Sequence, residues 1–73
     1  MRILVVEDEE KVANFIVKGL QQSAYTVDHA ATGEDALYMA SSAPYHAVVL
    51  DIMLPGIDGF EVVRRLRESG FGA

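Results

Sequence analysis

Ile3-Leu4-Val5-Val6, followed at once by Glu7-Asp8-Glu9-Glu10, is the stretch on which the fold turns. Consecutive apolar residues without alternation read as a short strand covered on both faces. The abrupt change to carboxylates marks where that strand leaves the core. The same pattern returns in His46-Ala47-Val48-Val49-Leu50, which is apolar almost throughout and ends on Asp51. Between the two, Tyr25-Thr26-Val27-Asp28-His29-Ala30 alternates partially and carries β-branched residues. It predicts a further strand, nearer a sheet edge.

Helical periodicity follows each strand. From about 9 to 22, Val12, Phe15, Ile16, Gly19 and Leu20 recur at helical spacing and predict one buried stripe. Thr32 precedes a second helix through about Ser42, with Ala36, Leu37 and Ala40 as its apolar face and Asp35 making an imperfect capping box. Pro44 ends that helix. Pro55-Gly56 signals a turn, and Asp58 with Glu61 forms a capping box for a third helix. Phe60, Val63 and Leu66 are expected on its apolar side, with Gly70 as its stop.

Strand-helix units spaced by about twenty residues imply right-handed crossovers and a parallel sheet. The fold class is therefore α/β: a doubly wound, flavodoxin-like parallel sheet with strand order 2-1-3. Complete domains of that type use five strands ordered 2-1-3-4-5. Only the first three βα units are expected here, so the chain reads as truncated.

Composition narrows the function. The chain has 73 residues, six basic and eleven acidic side chains, a net charge of −5 and no cysteine. A domain this small buries only roughly 60% of its unfolded surface. Without cysteine there is neither a disulfide framework nor a thiolate metal cage. The acidic balance argues against direct nucleic-acid binding by this segment, because phosphate contacts need clustered Lys and Arg. The aromatic residues form no stacking platform with basic neighbours. A membrane span needs about 20 apolar residues, and a signal peptide a basic start and a longer apolar run. Neither pattern is visible, and the expected location is cytoplasmic.

In a 2-1-3 order the ends of strands one and three are neighbours, so Glu7, Asp8 and Asp51 converge at one sheet edge. That edge is the topological switch point, where ligands bind in this architecture. At a separation of about 5 Å and an effective dielectric of about 20, each pair of anions costs roughly 3 kcal/mol. A proton, a lysine or a divalent cation has to offset this. Hard oxygen ligands with room for water suit Mg²⁺, and a neighbouring carboxylate nucleophile suits phosphoryl transfer. Taken from the residues alone, Asp8 serves equally as an N-cap and Asp51 as a turn former.

Ile3-Leu4-Val5-Val6-Glu7-Asp8-Glu9, Thr32-Gly33-Glu34-Asp35-Ala36-Leu37 and Val48-Val49-Leu50-Asp51-Ile52-Met53-Leu54-Pro55-Gly56-Ile57-Asp58-Gly59 together resemble the receiver domain of bacterial two-component response regulators. The third-strand block is most similar to receivers that carry a winged-helix DNA-binding domain downstream. The resemblance covers about residues 1–69 of a 1–73 receiver portion, with 70–73 as a tail. It implies a phosphoacceptor signalling domain of a phosphorelay, not an enzyme, regulating transcription through a C-terminal domain outside this segment. By the same resemblance Asp51 accepts the phosphoryl group from a sensor histidine kinase. Asp8 and Asp51 ligate Mg²⁺ directly, Met53 does so through its backbone carbonyl, and Glu7 acts through water. Pro55, Gly56 and Gly59 shape the loop.

Family members also carry a Ser or Thr ending strand four and a Lys ending strand five, both beyond Ala73 in the family's order. Impaired phosphorylation of this segment alone is the expectation. Two other functions compete. A Mg²⁺-dependent aspartyl-nucleophile phosphotransferase usually has a second Asp two residues after the nucleophile, where this chain has Met53. A structural or decoy fragment would keep the acidic edge without being phosphorylated.

The remaining residues take ordinary roles. His29 and His46 are expected away from the acidic edge, as surface or strand-end histidines. Met1, Met39 and Met53 are expected to fill core. Arg64, Arg65 and Arg67 read as a solvated helix face paired with Glu61 and Glu68. Val48, Val49 and Leu50 would form an unpaired apolar edge, so a homodimer or a domain swap is the expected association.

Overall fold

The computed structural model describes residues 1–51, 53–54 and 56–70. The elements run β1 (Arg2–Val6), α1 (Glu10–Gln22), β2 (Thr26–Ala30), α2 (Gly33–Ser42), β3 (Ala47–Leu50) and α3 (Gly59–Glu68). The sheet order is β2-β1-β3 and both pairings are parallel. Register runs from Arg2↔Thr26 to Val6↔Ala30 on one side of β1, and from Ile3↔Ala47 to Val6↔Leu50 on the other. The doubly wound arrangement expected from the alternating periodicities is the one observed. Among the described residues, no helix is long and apolar enough to cross a membrane.

The unbroken apolar character of β1 has a simple cause: it is the central strand, and helices cover both of its faces. Leu4 and Val6 point into a cluster with Ala30, Ala36, Tyr45, Leu54, Val62 and Leu66. Ile3 and Val5 alternate to the opposite face, where α1 packs over β1 and β2 and Ala13 is wholly buried. On the first face α2 and α3 approach closely. A Cβ built on Gly33 would stand 2.6 Å from Val62 Cγ2 and 2.7 Å from Ile57 Cγ1, so the start of α2 fits against α3 only as glycine.

The local stop and start signals act as their chemistry dictates. The Thr32 hydroxyl accepts from the amide of Asp35, and the Asp58 carboxylate accepts from the amide of Glu61. The return half of the expected Asp58–Glu61 box is absent, because the Glu61 carboxylate is taken by Arg64 and Arg65. Arg64 also pairs with Glu68 at 2.5 Å, as expected for a solvated helix face. Gly70 ends α3 with φ +88°, a left-handed value suited to glycine.

Several expected core positions are not buried. On α1, Phe15 is 81% exposed and Val12 is also exposed; Ala13 is the point of closest approach, with Ile16, Val17 and Leu20 partly buried beside it. The helix is rotated so that its smallest side chain meets the sheet. On α3, Phe60 is 68% exposed and Val63 is exposed, whereas Gly59, Val62 and Leu66 face inward. Residues at i, i+3 and i+7 make the true stripe, and the adjacent apolar pair lies outside it. Met1 and Met53 are exposed, and only Met39 packs against the core. Along β3, Val49 is exposed and no described strand pairs with its outer side. Pro55 lies outside the described residues.

Tyr45, between α2 and β3, is buried with its hydroxyl donating to Asp28 Oδ2 at 2.7 Å. Burial, then the hydrogen bond to Asp28 and that residue's charge, push the phenol up to about 12 from its usual 10.0. The folded protein thus favours the protonated phenol. Its contribution is complete below pH 10 and is lost as the pH rises through about 12. Tyr45→Phe should lower unfolding free energy by about 1 kcal/mol in urea titrations at neutral pH. The difference from wild type should shrink above pH 10; a Phe variant as stable as wild type at neutral pH would contradict this role.

Candidate functional site

The acidic site is built by the β1–β3 ladder. Parallel pairing aligns the carboxyl ends of the two strands, with Val6 opposite Leu50. The ladder runs one bond further, from the Asp51 amide to the Val6 carbonyl at 3.0 Å. On the other side the Glu7 amide donates to the Ala30 carbonyl at 3.1 Å. The backbone therefore fixes Glu7 and Asp51 on neighbouring strands at the moment each strand leaves the sheet.

One oxygen from each of Glu7, Asp8 and Asp51 lies within 4.8 Å of the others. Glu7 and Asp51 are partly buried and Asp8 is exposed. The Asp51 Oδ1 atom accepts from the Met53 amide at 3.0 Å, which orients the carboxylate and leaves Oδ2 as its other oxygen. Glu7 Oε1 accepts from the Glu9 amide at 3.0 Å. The N-cap of α1 is Glu9, whose side chain makes no capping bond, so helix capping does not account for Asp8.

Desolvation and neighbouring charge both act on Glu7. The Glu9 amide pulls its carboxyl down, but desolvation, Asp51 and Asp8 together outweigh that bond and raise the group from its ordinary value. Oxygens within 4.8 Å of one another repel when charged, and solvent at the exposed Asp8 screens part of that cost. Among the described residues, no Lys or Arg forms an ion pair with any of the three. A cluster of hard oxygens, open on one side and without a basic partner, fits a small divalent cation.

The loop after Asp51 is pinned at Leu54, which is buried, and at Gly56, whose φ is +75°. A Cβ on Gly56 would meet the Glu34 carboxylate at 3.1 Å, so α2 presses against this loop as well. Met53 contributes its amide, and its side chain is 84% exposed.

His29 departs from expectation. It lies at the acidic end of the sheet, with Nε2 donating to the Glu7 backbone carbonyl at 2.8 Å. The reason is topological: β2 runs parallel to β1, so the end of β2 shares the edge with the end of β1. The strand direction already implied this, and the pairing Val5↔His29 carries the side chain to it. His46 sits at the opposite end, its Nδ1 accepting from the Arg2 amide at 3.0 Å.

Known proteins share this fold. The family model described as "Response regulator receiver domain" matches residues 3–72. The transcriptional regulatory protein TcrA of Mycobacterium tuberculosis is 52% identical over 69 residues, 94% of this chain and 27% of that protein. The probable transcriptional regulatory protein SilR of Salmonella typhimurium is 43% identical over 72 residues, 99% of this chain and 32% of that protein. The chain thus spans about a third or less of the length of these relatives. The response regulator TrrA of Thermotoga maritima, crystallised with Mg²⁺ and BeF, superposes with a TM-score of 0.90. It is 43% identical, over 93% of this chain and 59% of that one. The same regulator in complex with the histidine kinase ThkA gives a TM-score of 0.87 over 92% of this chain and 58% of that one.

The repulsion is open to direct measurement. Carboxyl ¹³C shifts followed against pH should show Glu7 titrating above an ordinary glutamate, and Asp51→Asn should lower its midpoint. The sign follows from charge removal: with one anion fewer, ionisation of Glu7 costs less. An unmoved midpoint would show that the two carboxylates do not sense each other.

Proposed function

The chain belongs to the response regulator receiver domain family, and from that membership we propose that it is the phosphoacceptor module of a two-component relay, with Asp51 as the acceptor. The carrying observation is the convergence of one oxygen each from Glu7, Asp8 and Asp51 within 4.8 Å. Strand pairing holds this cluster where the fold exposes its switch point.

Each residue has a distinct task in this reading. Asp51 is held by the Met53 amide at Oδ1 and presents a carboxylate oxygen to phosphorus. That oxygen attacks the phosphorus of a phosphohistidine; the P–O bond forms as the P–N bond breaks, and the imidazole leaves with the electron pair. Asp8 and Asp51 would hold Mg²⁺ directly, Met53 through its backbone carbonyl and Glu7 through water. When bound, Mg²⁺ neutralises charge on the transferring phosphoryl group. Met53 stands where aspartyl phosphotransferases usually place a second Asp, which favours acceptor over enzyme.

The partner is a sensor histidine kinase, a reading supported by the crystallised pairing of TrrA with ThkA. The transcriptional regulators TcrA and SilR support an output through DNA, carried by a domain outside residues 1–69. The cytoplasm is the matching compartment. Incubation of the full-length protein with a small phosphodonor and Mg²⁺ should add one phosphoryl group by intact mass. Asp51→Asn should abolish it, and chelation of the metal should slow it at least tenfold. Undiminished phosphorylation of Asp51→Asn would refute the assignment.

A further inference from the structure

His29 serves a position that the backbone of β2 leaves open. In a parallel ladder the donor following the Glu7-to-Ala30 bond would be the amide of Thr32, received by the Glu7 carbonyl. That bond is not made. β2 ends at Ala30, and Thr32 has become the N-cap of α2. Among the described residues no backbone amide reaches the Glu7 carbonyl. The imidazole takes the amide's place, with Nε2 at 2.8 Å.

A carbonyl oxygen can only accept, so Nε2 carries the hydrogen. Glu7 is then held to β2 through both main-chain groups, its amide on Ala30 and its carbonyl on His29. Its carboxylate is held separately by the Glu9 amide. The carbonyl belongs to the peptide that joins Glu7 to Asp8, and rotation of that peptide would swing Asp8 relative to Asp51. His29 is exposed, and the bond from its Nε2 to the Glu7 carbonyl is the contact that ties it to this edge.

We propose that His29 is a positioning residue for the cation site, fixing the Glu7–Asp8 peptide through its Nε2–H and so holding the two acidic side chains in register with Asp51. The inference rests on the reading of this edge as a Mg²⁺ site. It assigns the histidine no direct contact with metal or phosphate.

The test compares the intact wild-type chain with His29→Ala and His29→Gln, using Mg²⁺ alone as the probe. Long-range ¹H–¹⁵N spectra of wild type should show the Nε2–H tautomer. Mg²⁺ titration, followed by the amides of Asp8 and Asp51, should show His29→Ala binding about 2- to 10-fold more weakly, the range of one net hydrogen bond. His29→Gln, whose side-chain amide reaches nearly as far, should recover most of that affinity, and recovery separates the hydrogen bond from general damage to the fold. An Nδ1–H tautomer, equal affinity in His29→Ala and wild type, or no recovery in His29→Gln would each overturn the proposal. If wild type itself fails to bind Mg²⁺, the cation-site reading falls and the proposal with it. Wild-type binding with an unaffected alanine variant defeats the proposal alone.

Discussion

The parallel pairing of β1 with β3 is the constraint on which the rest of the structure depends. It buries Leu4 and Val6 beneath α2 and α3, and it places β1 at the centre of the sheet. It also brings the strand ends together, so Asp51 arrives beside Glu7 by register. No loop has to be folded back to assemble the cluster. Core packing and the placing of Glu7 beside Asp51 are two consequences of one ladder.

That coupling has an energetic cost. Three carboxylates with oxygens within 4.8 Å of one another oppose folding, and the upward direction of the Glu7 pKa, from desolvation first and then Asp51 and Asp8, agrees with that. The burial of Leu4, Val5, Val6 and Val62, the largest wholly buried side chains, offsets it. On the proposed reading a cation that binds only the folded protein would offset this cost and raise its stability. His29 and the Met53 amide supply fixed geometry at the two ends of the cluster without adding charge of like sign.

Much of this was legible in the sequence because it follows from period and direction. Unbroken apolar runs ending in acids identified β1, β3 and the shared edge, and Thr32 and Asp58 marked helix starts that the hydrogen bonds bear out. Helix rotation was not legible. The apolar residues of α1 and α3 spread over more than one stripe, and periodicity alone does not say which stripe faces the sheet. Close contact selected Ala13 on α1, and Gly33 against Val62 selected the inner face of α3. The place of His29 follows from strand direction and not from residue type: parallel pairing carries the end of β2 to the acidic edge. The link from Met53 to Asp51 runs through a backbone amide, which residue identity does not encode.

The central claim is that the three acids act as one electrostatic unit whose charge a bound cation would offset. Thermal unfolding of wild type and Asp8→Asn, each with and without Mg²⁺, tests it most directly. Removal of one charge should raise the midpoint of the metal-free variant above that of metal-free wild type. Mg²⁺ should raise the wild-type midpoint and leave the variant nearly unmoved. A metal-free variant that melts at or below wild type, with both proteins responding equally to Mg²⁺, would contradict the account.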